Sequence, residues 1–360
     1  WEAEVVFFQA NRFVAPLRAA GVAVHVWDDI RRDEQRRITS AAPLRKVSLA
    51  IAAVHRRLRF LRQRRIDLVH LNNSPVYGYL DWLPAARLAG IPAITHIMGK
   101  HVPVGHPAKE WLARRFDRMI PVSRFIADQF VDEGYPEARM RLIHLGILVD
   151  EFSARVRHTR AEVRRGLGVE PDVILVVMVG NLREWKGQHV LLDALARVPA
   201  SVRARLHVAF VGAATAHDRD YVARLEARMR AEALSRVPIA FLGARDDVPD
   251  LVHAADVVVH ASIEPEPFGL VVTEGMAVGR PVVASRFGGP AEIIVPGTGF
   301  VFDPARPGEL AEALSRLATD ASLRETVGRA AEARVRGFDT RRLSERISAV
   351  YDEVVPVRAR

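Results

Sequence analysis

The sequence predicts an α/β fold built from two doubly wound parallel-sheet domains. Short apolar runs rich in β-branched residues alternate with helical patterns along the whole chain, as in stacked βαβ units. The length of 360 residues suits two domains, and the composition changes once, around residues 146–157. Because doubly wound sheets bind ligands at the carboxyl ends of their strands, we expect a ligand-binding cleft between the two domains.

The first half is predicted to hold five strands and five helices in alternation. The strands are Glu4–Phe8, Val22–Trp27, Asp67–Leu71, Pro92–His96 and Arg118–Val122. The helices lie near Phe13–Ala20, Pro43–Arg65, Leu80–Ala89, Ala108–Phe116 and Ser123–Val131. The chain opens with Trp1, and no glycine follows the first strand, although a phosphate-binding first turn needs glycine. We therefore expect this domain to lack its opening strand and glycine-rich loop.

The second half is predicted to hold a further series of strands, each separated from the next by a helix or a turn. They are Val173–Val179, Leu206–Val211, Ile239–Leu242, Val257–Ala261, Pro281–Ala284 and Gly299–Phe302. We place the domains at residues 1–148 and 149–338, and residues 339–360 then form a final helical segment.

Composition excludes several classes of protein. Without cysteine the chain has no disulfide, thiolate metal site or cysteine nucleophile. No apolar run approaches the roughly 18 residues of a membrane span, and no secretory signal opens the chain, which predicts a soluble, cytoplasmic protein. The net charge of +9 favours anionic partners. Nucleic acid is not predicted, because no interleaved aromatic residues or binding module accompany the charge.

The segment 260–277 carries the strongest chemical signal. An apolar strand ends at Ala261, a proline- and glycine-rich loop follows, and a helix starts near Gly269. The free amides of that helix start suit an anion such as a diphosphate. Glu266 lies in the loop and Glu274 lies in the helix, so one carboxylate can meet a reacting group while the other accepts two ribose hydroxyls. The alternative is an ordinary surface loop whose glutamates are solvated and bind no ligand. Two prolines, a Phe-Gly pair and two acidic residues at an apolar junction disfavour this alternative.

A second loop follows the strand Val173–Val179. It reads Gly180-Asn181-Leu182-Arg183-Glu184-Trp185-Lys186-Gly187. Two cations between glycines at the end of a parallel strand suit the charge that develops on a departing nucleotide diphosphate. The alternative is a solvated surface loop.

These motifs resemble those of the family 4 retaining glycosyltransferases, which have the GT-B fold. That family carries Glu-x-Phe-Gly followed by a second Glu, and Glu266-Pro267-Phe268-Gly269 with Glu274 matches it. The segments 279–284, 288–292 and 297–299 are also similar. The resemblance covers the second domain closely and the first loosely. It implies two facing Rossmann-like domains, a nucleotide diphosphate sugar donor, transfer with anomeric retention, and a final helix that returns to the first domain.

The resemblance also implies residue roles. Glu266 would hold the donor sugar, Lys186 and Arg183 the leaving phosphate, Glu274 the ribose, and His96 would contact the sugar, although a lone histidine after an apolar strand is often a packing residue. Asn181 departs from the family, which has arginine there, and Arg183 is the expected substitute. The predicted catalytic residues are Glu266, Lys186, Arg183 and His96, and the predicted donor-binding residues are Gly180, Asn181, Glu274, Pro267, Phe268, Gly269, Leu270, Gly243, Ala244 and Arg245.

No metal or other cofactor is predicted. Asp218 and Asp220 are spaced like a metal-binding pair, but they fall at a helix start, where acidic residues complement the helix dipole. Ser123 and Arg124 also open a helix, and capping by Ser123 is preferred to ligand contact.

The acceptor is predicted to be a sugar or a lipid-linked molecule. The loop holding Lys100, His101 and His106 is a weaker candidate to meet it. Residues 43–66 form a basic amphipathic helix. It either packs on the sheet with a solvated basic face or docks on anionic lipid at the inner face of a membrane. Its apolar stripe is Leu44, Val47, Ile51, Val54, Leu58 and Leu61, and its basic residues are Arg45, Lys46, Arg56, Arg57, Arg59, Arg62, Arg64 and Arg65.

Two other functions stay open at this point. The missing glycine-rich turn and the Asn181 departure also fit a non-catalytic sugar-nucleotide-binding remnant. A nucleotide-sugar epimerase of the same two-domain build is the other alternative.

Overall fold

A computed structural model describes residues 1–27, 43–73, 75, 80–101, 107–234 and 236–355, without the side chains of 43–46. Every predicted strand is present within two residues at either end. The strands are β1 Glu4–Phe7, β2 Ala23–Val26, β3 Val69–Leu71, β4 Ala93–Ile97, β5 Arg118–Pro121, β6 Ile174–Val179, β7 Leu206–Val211, β8 Ile239–Phe241, β9 Val257–His260, β10 Val282–Ser285 and β11 Phe300–Phe302.

Helices separate most of these strands. They are α1 Val14–Ala19, α2 Pro43–Arg64, α3 Trp82–Ala89, α4 Pro107–Ala113, α5 Arg124–Asp132, α6 Val149–Ala154, α7 Arg160–Gly166, α8 Gln188–Leu195, α9 Ala200–Arg203, α10 Arg219–Met229, α11 Val248–Ala254, α12 Leu270–Ala277, α13 Pro290–Ile293, α14 Pro307–Thr319, α15 Ala321–Val335 and α16 Thr340–Val354.

The contacts divide the chain into two compact units. Unit 1 holds Trp1–His96, Pro103–Met119 and Ser348–Arg360, and unit 2 holds Ile97–Val102 and Ile120–Ile347. The division predicted at residue 148 thus falls inside unit 2. Two contacts tie residues before 148 into unit 2: the Arg124 amide donates to the Glu292 carboxylate over 2.7 Å, and Ile147 pairs with Asp339.

Unit 2 contains a six-stranded sheet in the order β11-β10-β9-β6-β7-β8. Its strands pair in parallel wherever a register is defined. The first strand, β6, therefore lies at the centre, and the chain builds outward on one side before crossing to the other. This is the Rossmann order, and it creates a switch point between β6 and β9 where the following loops diverge. Unbroken apolar runs such as Val257–Val259 are buried, as expected of strands covered on both faces.

Unit 1 contains smaller sheets. Strands β1 and β2 pair in parallel as a two-stranded sheet, and β3, β4 and β5 form a three-stranded sheet with β4 in the middle. The end of α16 belongs to this unit, because Ser348–Arg360 clusters with the N-terminal segments. Within unit 1 the Arg118 guanidinium lies 2.8 Å from the Glu353 carboxylate.

Helix α2 corrects one part of the sequence analysis. Arg57 was predicted on the basic face, but it is 3% exposed and its Nε lies 2.6 Å from Oδ2 of Asp81. Its guanidinium also lies 5.9 and 5.8 Å from the ring centroids of Trp27 and Trp82. The prediction was wrong because a carboxylate and two aromatic rings from other elements compensate the buried charge. The predicted side chains of Leu44, Arg45 and Lys46 lie outside the described residues.

Candidate active site

Two loops leave the carboxyl ends of β6 and β9 at the switch point of the unit 2 sheet. They touch directly, since the Ile263 amide donates to the Trp185 carbonyl oxygen over 2.8 Å. Gly187 makes this contact possible. Its φ is 76°, and a Cβ at this position would collide with the carbonyl of Ala261. The two motifs singled out in the sequence are therefore one site.

A half-buried ion pair lies where the loops meet. Nζ of Lys186 is 2.8 Å from Oε1 of Glu266, and the two side chains are 16% and 17% exposed. The ammonium also lies 4.2 Å from the ring centroid of Trp185, which is a cation–π contact. The structure thus pairs the two residues that the sequence proposed separately for the phosphate and the sugar.

The second oxygen of Glu266 is held by two residues that sequence reasoning missed. Nε2 of His260 lies 2.5 Å from Oε2, and Oγ of Ser262 donates to the same oxygen over 3.0 Å. Both side chains are buried. A signal was present, because residues two apart at the end of a strand share a face and Glu266 follows Ser262 by four residues.

The charge state of Glu266 follows from these contacts. Burial by itself would raise the pKa of the Glu266 carboxyl, but hydrogen bonds and positive charge from His260 and Lys186 hold that pKa well below its usual range. Glu266 is therefore an ionised acceptor of hydrogen bonds at neutral pH. It cannot serve as a general acid there.

The loop after β10 fixes the backbone of Glu266. The Gly289 amide donates to the Glu266 carbonyl oxygen over 2.8 Å, and Gly288 pairs with Glu266 in a parallel bridge. Gly288 has φ 80°, and a side chain there would collide with the Glu266 backbone. Three loops of the sheet thus converge on one residue, Glu266.

Helix α12 begins four residues after Glu266. Gly269 is its N-cap with φ 101°, Phe268 is buried, and Leu270 is exposed at the first helical position. The first amides of a helix have no intrahelical acceptor, so this end suits an anion. The predicted loop-to-helix junction is confirmed.

Glu274 lies in the second turn of α12 and is half-buried. Within the described part of the chain its carboxylate forms no hydrogen bond or ion pair. Burial raises the pKa of this carboxyl, and the charge of Arg155 opposes that rise only in part. A half-buried carboxylate with spare acceptor capacity is chemically suited to bind hydroxyls.

Arg183 does not join the pair of Lys186 and Glu266. It is 43% exposed, and its Nε lies 3.7 Å from Oδ2 of Asp218. Asn181 is exposed, and its carbonyl oxygen accepts from the side-chain amide of Gln188 over 2.9 Å. The structure therefore leaves Lys186 as the cation nearest to Glu266 among the described contacts.

Asp218 and Asp220 lie where the sequence predicted. Asp218 is at the N-cap of α10 and accepts from Thr215, and Asp220 is in the first turn. No group of three or more histidine and acidic residues suited to a metal ion occurs among the residues described.

Three of the predicted donor-binding residues, Gly243, Ala244 and Arg245, follow β8. The Gly212 amide donates to the Gly243 carbonyl over 2.8 Å, and the Gly180 amide donates to Val211 over 2.8 Å. The guanidinium of Arg245 lies 2.8 and 2.6 Å from the carboxylate of Asp247 in its own loop. Its charge is therefore balanced locally, and contact through the backbone of Gly243 and Ala244 stays a prediction.

His96 belongs to unit 1, in β4, and is 6% exposed. Its ring stacks on His70, with centroids 5.7 Å apart and an interplanar angle of 15°. Burial lowers the pKa of His96 to about 4, so the ring is neutral at physiological pH. Its Nε2 is buried and has no hydrogen-bond partner in the described ranges.

The remaining predictions, for Ser123 and for the loop that holds Lys100, His101 and His106, have different outcomes. Ser123 caps α5 by accepting from the Ile126 amide over 3.2 Å, so its predicted capping role is confirmed. Lys100 lies 3.2 Å from Glu264, and the ring of His101 contacts Phe130 and Tyr135. His106 lies outside the described residues.

Rossmann strand order and a helix start at the switch point place unit 2 among the doubly wound α/β domains, in which ligands bind at the carboxyl ends of the strands. Two family models match the chain. One, described as glycosyl transferases group 1, matches residues 159–334, and the other, a glycosyl transferase 4-like domain, matches residues 1–146. The chain belongs to this glycosyltransferase family, as the motif resemblance predicted.

Relatives by sequence include two transferases. The sulfoquinovosyl transferase SQD2 of Arabidopsis thaliana is 29% identical over 322 residues, which are 84% of this chain and 59% of that protein. A D-inositol 3-phosphate glycosyltransferase of Kribbella flavida is 30% identical over 225 residues, 61% of this chain and 52% of that protein. The chain thus spans between half and three fifths of the length of these two curated relatives.

Solved structures show the same fold. The HepE protein of Anabaena in complex with UDP is 26% identical with a TM-score of 0.79, covering 98% of this chain and 92% of that one. A glycosyltransferase from Rickettsia africae is 19% identical with a TM-score of 0.82, covering 99% of this chain and 91% of that one. The predicted GT-B fold class is confirmed.

Proposed function

We propose that this protein transfers a sugar from a nucleotide diphosphate sugar, with UDP as the nucleotide, to a sugar or lipid-linked acceptor. The observation that carries the proposal is the pair of Lys186 and Glu266 beside the start of α12, at the switch point of a Rossmann sheet. HepE, which is about one quarter identical, has been crystallised with UDP and with UDP-glucose.

The chemistry follows from the charges. Lys186 and the α12 amides neutralise the diphosphate, and the ionised Glu266 accepts hydrogen bonds from sugar hydroxyls. We propose retention, because the paired carboxylate of Glu266 is a poor covalent nucleophile and the leaving phosphate can guide attack on the same face. The bond from the anomeric carbon to the phosphate oxygen breaks as the bond to the acceptor oxygen forms. The acceptor proton passes to the leaving phosphate.

A panel of nucleotide sugars tests the proposal, scored by release of free nucleoside diphosphate and by the anomeric configuration of the product. Release of UDP from a UDP-sugar in the presence of an acceptor is the expected result. Nucleotide binding without any turnover would support the non-catalytic remnant instead. An altered hexose without free nucleotide would identify an epimerase, and turnover of GDP-sugars only would reject UDP.

Activity is expected to survive EDTA. Lys186 and the amides at the start of α12 supply positive charge for the diphosphate, so a divalent ion is not needed for that purpose. Turnover should be compared before and after chelation and again after adding manganese or magnesium. If EDTA abolishes turnover and either ion restores it, the proposed role of Lys186 and the α12 amides is rejected. Asp218 and Asp220 then become candidate metal ligands again.

We further propose that α2 brings the enzyme to anionic lipid at the cytoplasmic face of a membrane. Val47 and Ile51 are 58% and 64% exposed one turn apart, and Arg59 is exposed on the same helix. None of the described helices is long and apolar enough to cross a bilayer. Such an exposed apolar face with nearby cations is suited to the interface of an anionic membrane.

Co-sedimentation with vesicles tests this partner. The protein should bind anionic but not neutral vesicles, and binding should fall with salt as the Debye length shrinks from ~10 Å at 0.1 M to ~3 Å at 1 M. Ile51→Glu and Arg59→Glu should weaken binding, whereas Arg329→Glu, on the exposed face of α15, matches the charge change and should not. Equal binding to both vesicle types, or none, would leave α2 as a packing helix.

A further inference from the structure

Unit 1 contains a series of side-chain contacts that have no role in the reaction proposed above. Oη of Tyr351, in α16, lies 2.8 Å from Nδ1 of His70, at the centre of β3. The His70 ring in turn stacks on His96 in the neighbouring strand β4. The rings of Trp1 and Tyr351 make an edge-to-face contact, with centroids 5.3 Å apart. Each of these residues belongs to unit 1.

The hydrogen bond determines which nitrogen of His70 carries the proton. Burial raises the pKa of Tyr351, so its hydroxyl keeps its hydrogen. His70 is the acceptor that the described residues offer to this hydroxyl, so we assign Nδ1 as the acceptor and place the ring proton of neutral His70 on Nε2. That nitrogen is buried and has no hydrogen-bond partner among the described residues, so the contact with Tyr351 is the one that favours this tautomer.

The stacking contact links the orientation of the His70 ring to that of the His96 ring. The two rings are within 15° of parallel, which restricts rotation of the His96 ring. Burial, together with the neighbouring His96, lowers the pKa of His70 to about 4, so two neutral rings rather than two cations face each other. A neutral imidazole can both donate and accept, as a sugar hydroxyl requires.

We propose that Tyr351 and His70 are positioning residues for His96, so that helix α16 orients the imidazole that is predicted to contact the sugar. The inference rests on the proposed function and on that predicted contact of His96, but the tautomer and the ring orientation are properties of the free protein. Neither Tyr351 nor His70 is expected to touch the sugar. Their effect on transfer is indirect.

Tyr351→Phe keeps the aromatic ring and removes the hydroxyl. We expect a roughly ten-fold loss in kcat/KM for sugar transfer, because a catalytic contact set slightly out of place costs rate. The Kd for UDP should stay within two-fold of wild type, since the proposed nucleotide residues lie in unit 2. His70→Asn, which removes the ring face and leaves α16 intact, should lower kcat/KM at least as much.

Imidazole ¹⁵N NMR gives a readout that does not depend on activity. In wild type His70 should show the Nε2–H tautomer, and in Tyr351→Phe it should show a mixture of tautomers together with shifted His96 signals. Val350→Ala is the matched control, because Val350 is a buried neighbour on α16. It should lower the melting temperature without changing the tautomer or kcat/KM.

If Tyr351→Phe keeps the wild-type tautomer of His70, the wild-type His96 signals and the wild-type kcat/KM, the proposal is overturned. A comparable change in Val350→Ala would also overturn it, since the effect would then reflect helix packing alone. If Tyr351→Phe fails to fold, unchanged His96 signals and kcat/KM in His70→Asn would refute the positioning role. If wild type transfers no sugar, the proposed function fails, while the NMR comparison still decides whether Tyr351 and His70 order His96.

Discussion

Lys186→Ala is expected to lower kcat by roughly 10²–10³ while changing the Kd of the donor far less. Negative charge grows on the leaving phosphate as the glycosidic bond breaks, so a cation next to it acts most strongly in the transition state. Glu266 keeps His260 and Ser262 as partners in this variant, so the carboxylate stays in place. Steady-state kinetics with a separate measurement of donor Kd tests this.

Two variants sharpen that test. Lys186→Arg should restore only part of the rate, because a planar guanidinium does not reproduce a compact ammonium on a flexible stem. Arg224→Ala is the matched control, since Arg224 pairs with Glu184 over 2.8 Å in the same turn and should not affect turnover. If kcat holds and only KM rises, Lys186 binds substrate and transition state equally and has no leaving-group role.

Glu274→Gln is expected to weaken UDP binding by about 1.5–3 kcal/mol, the usual value of hydrogen bonds to a charged group. The carboxylate can accept from both ribose hydroxyls, and the amide retains only one acceptor oxygen. The fold should be unharmed, because a neutral amide removes the desolvation cost of a half-buried charge. Calorimetry gives the affinity, and a thermal melt should show a melting temperature equal to or above that of wild type.

The pH dependence provides a second measure of Glu274. Its pKa is raised, so lowering the pH protonates it earlier than an exposed glutamate and weakens binding of ribose hydroxyls. The ratio of the Kd values of Glu274→Gln and wild type should therefore shrink as the pH falls. Glu325→Gln, at an exposed position on α15, serves as the control. Unchanged UDP affinity in Glu274→Gln would remove Glu274 from the site.

Local patterns were sufficient for the elements and for the motif positions. Strands such as Ile174–Val179 are continuous apolar runs, and the junction at Gly269 combines a strand end, a loop and a helix start within a few residues. The cap at Ser123 was predicted for the same reason. Each signal lies within about ten neighbouring residues, and backbone preferences act over that distance.

Side-chain partners were harder to predict. Arg183 and Lys186 are three residues apart and looked equivalent in the sequence, yet one faces Asp218 and the other Glu266. Arg57 looked solvated and is buried. In each case a residue from another element decides the environment, and hydrophobic periodicity carries no information about that element.

The sequence by itself determined that this is an α/β chain of a glycosyltransferase family, and it predicted a site in the loops after β6 and β9. Only the tertiary structure decided which groups act together. Lys186 meets Glu266 across 80 positions, and Tyr351 meets His70 across 281. The physical reason is that strand order and loop geometry bring distant residues within hydrogen-bond range. Charge state and tautomer then depend on those neighbours and on burial rather than on the residue type.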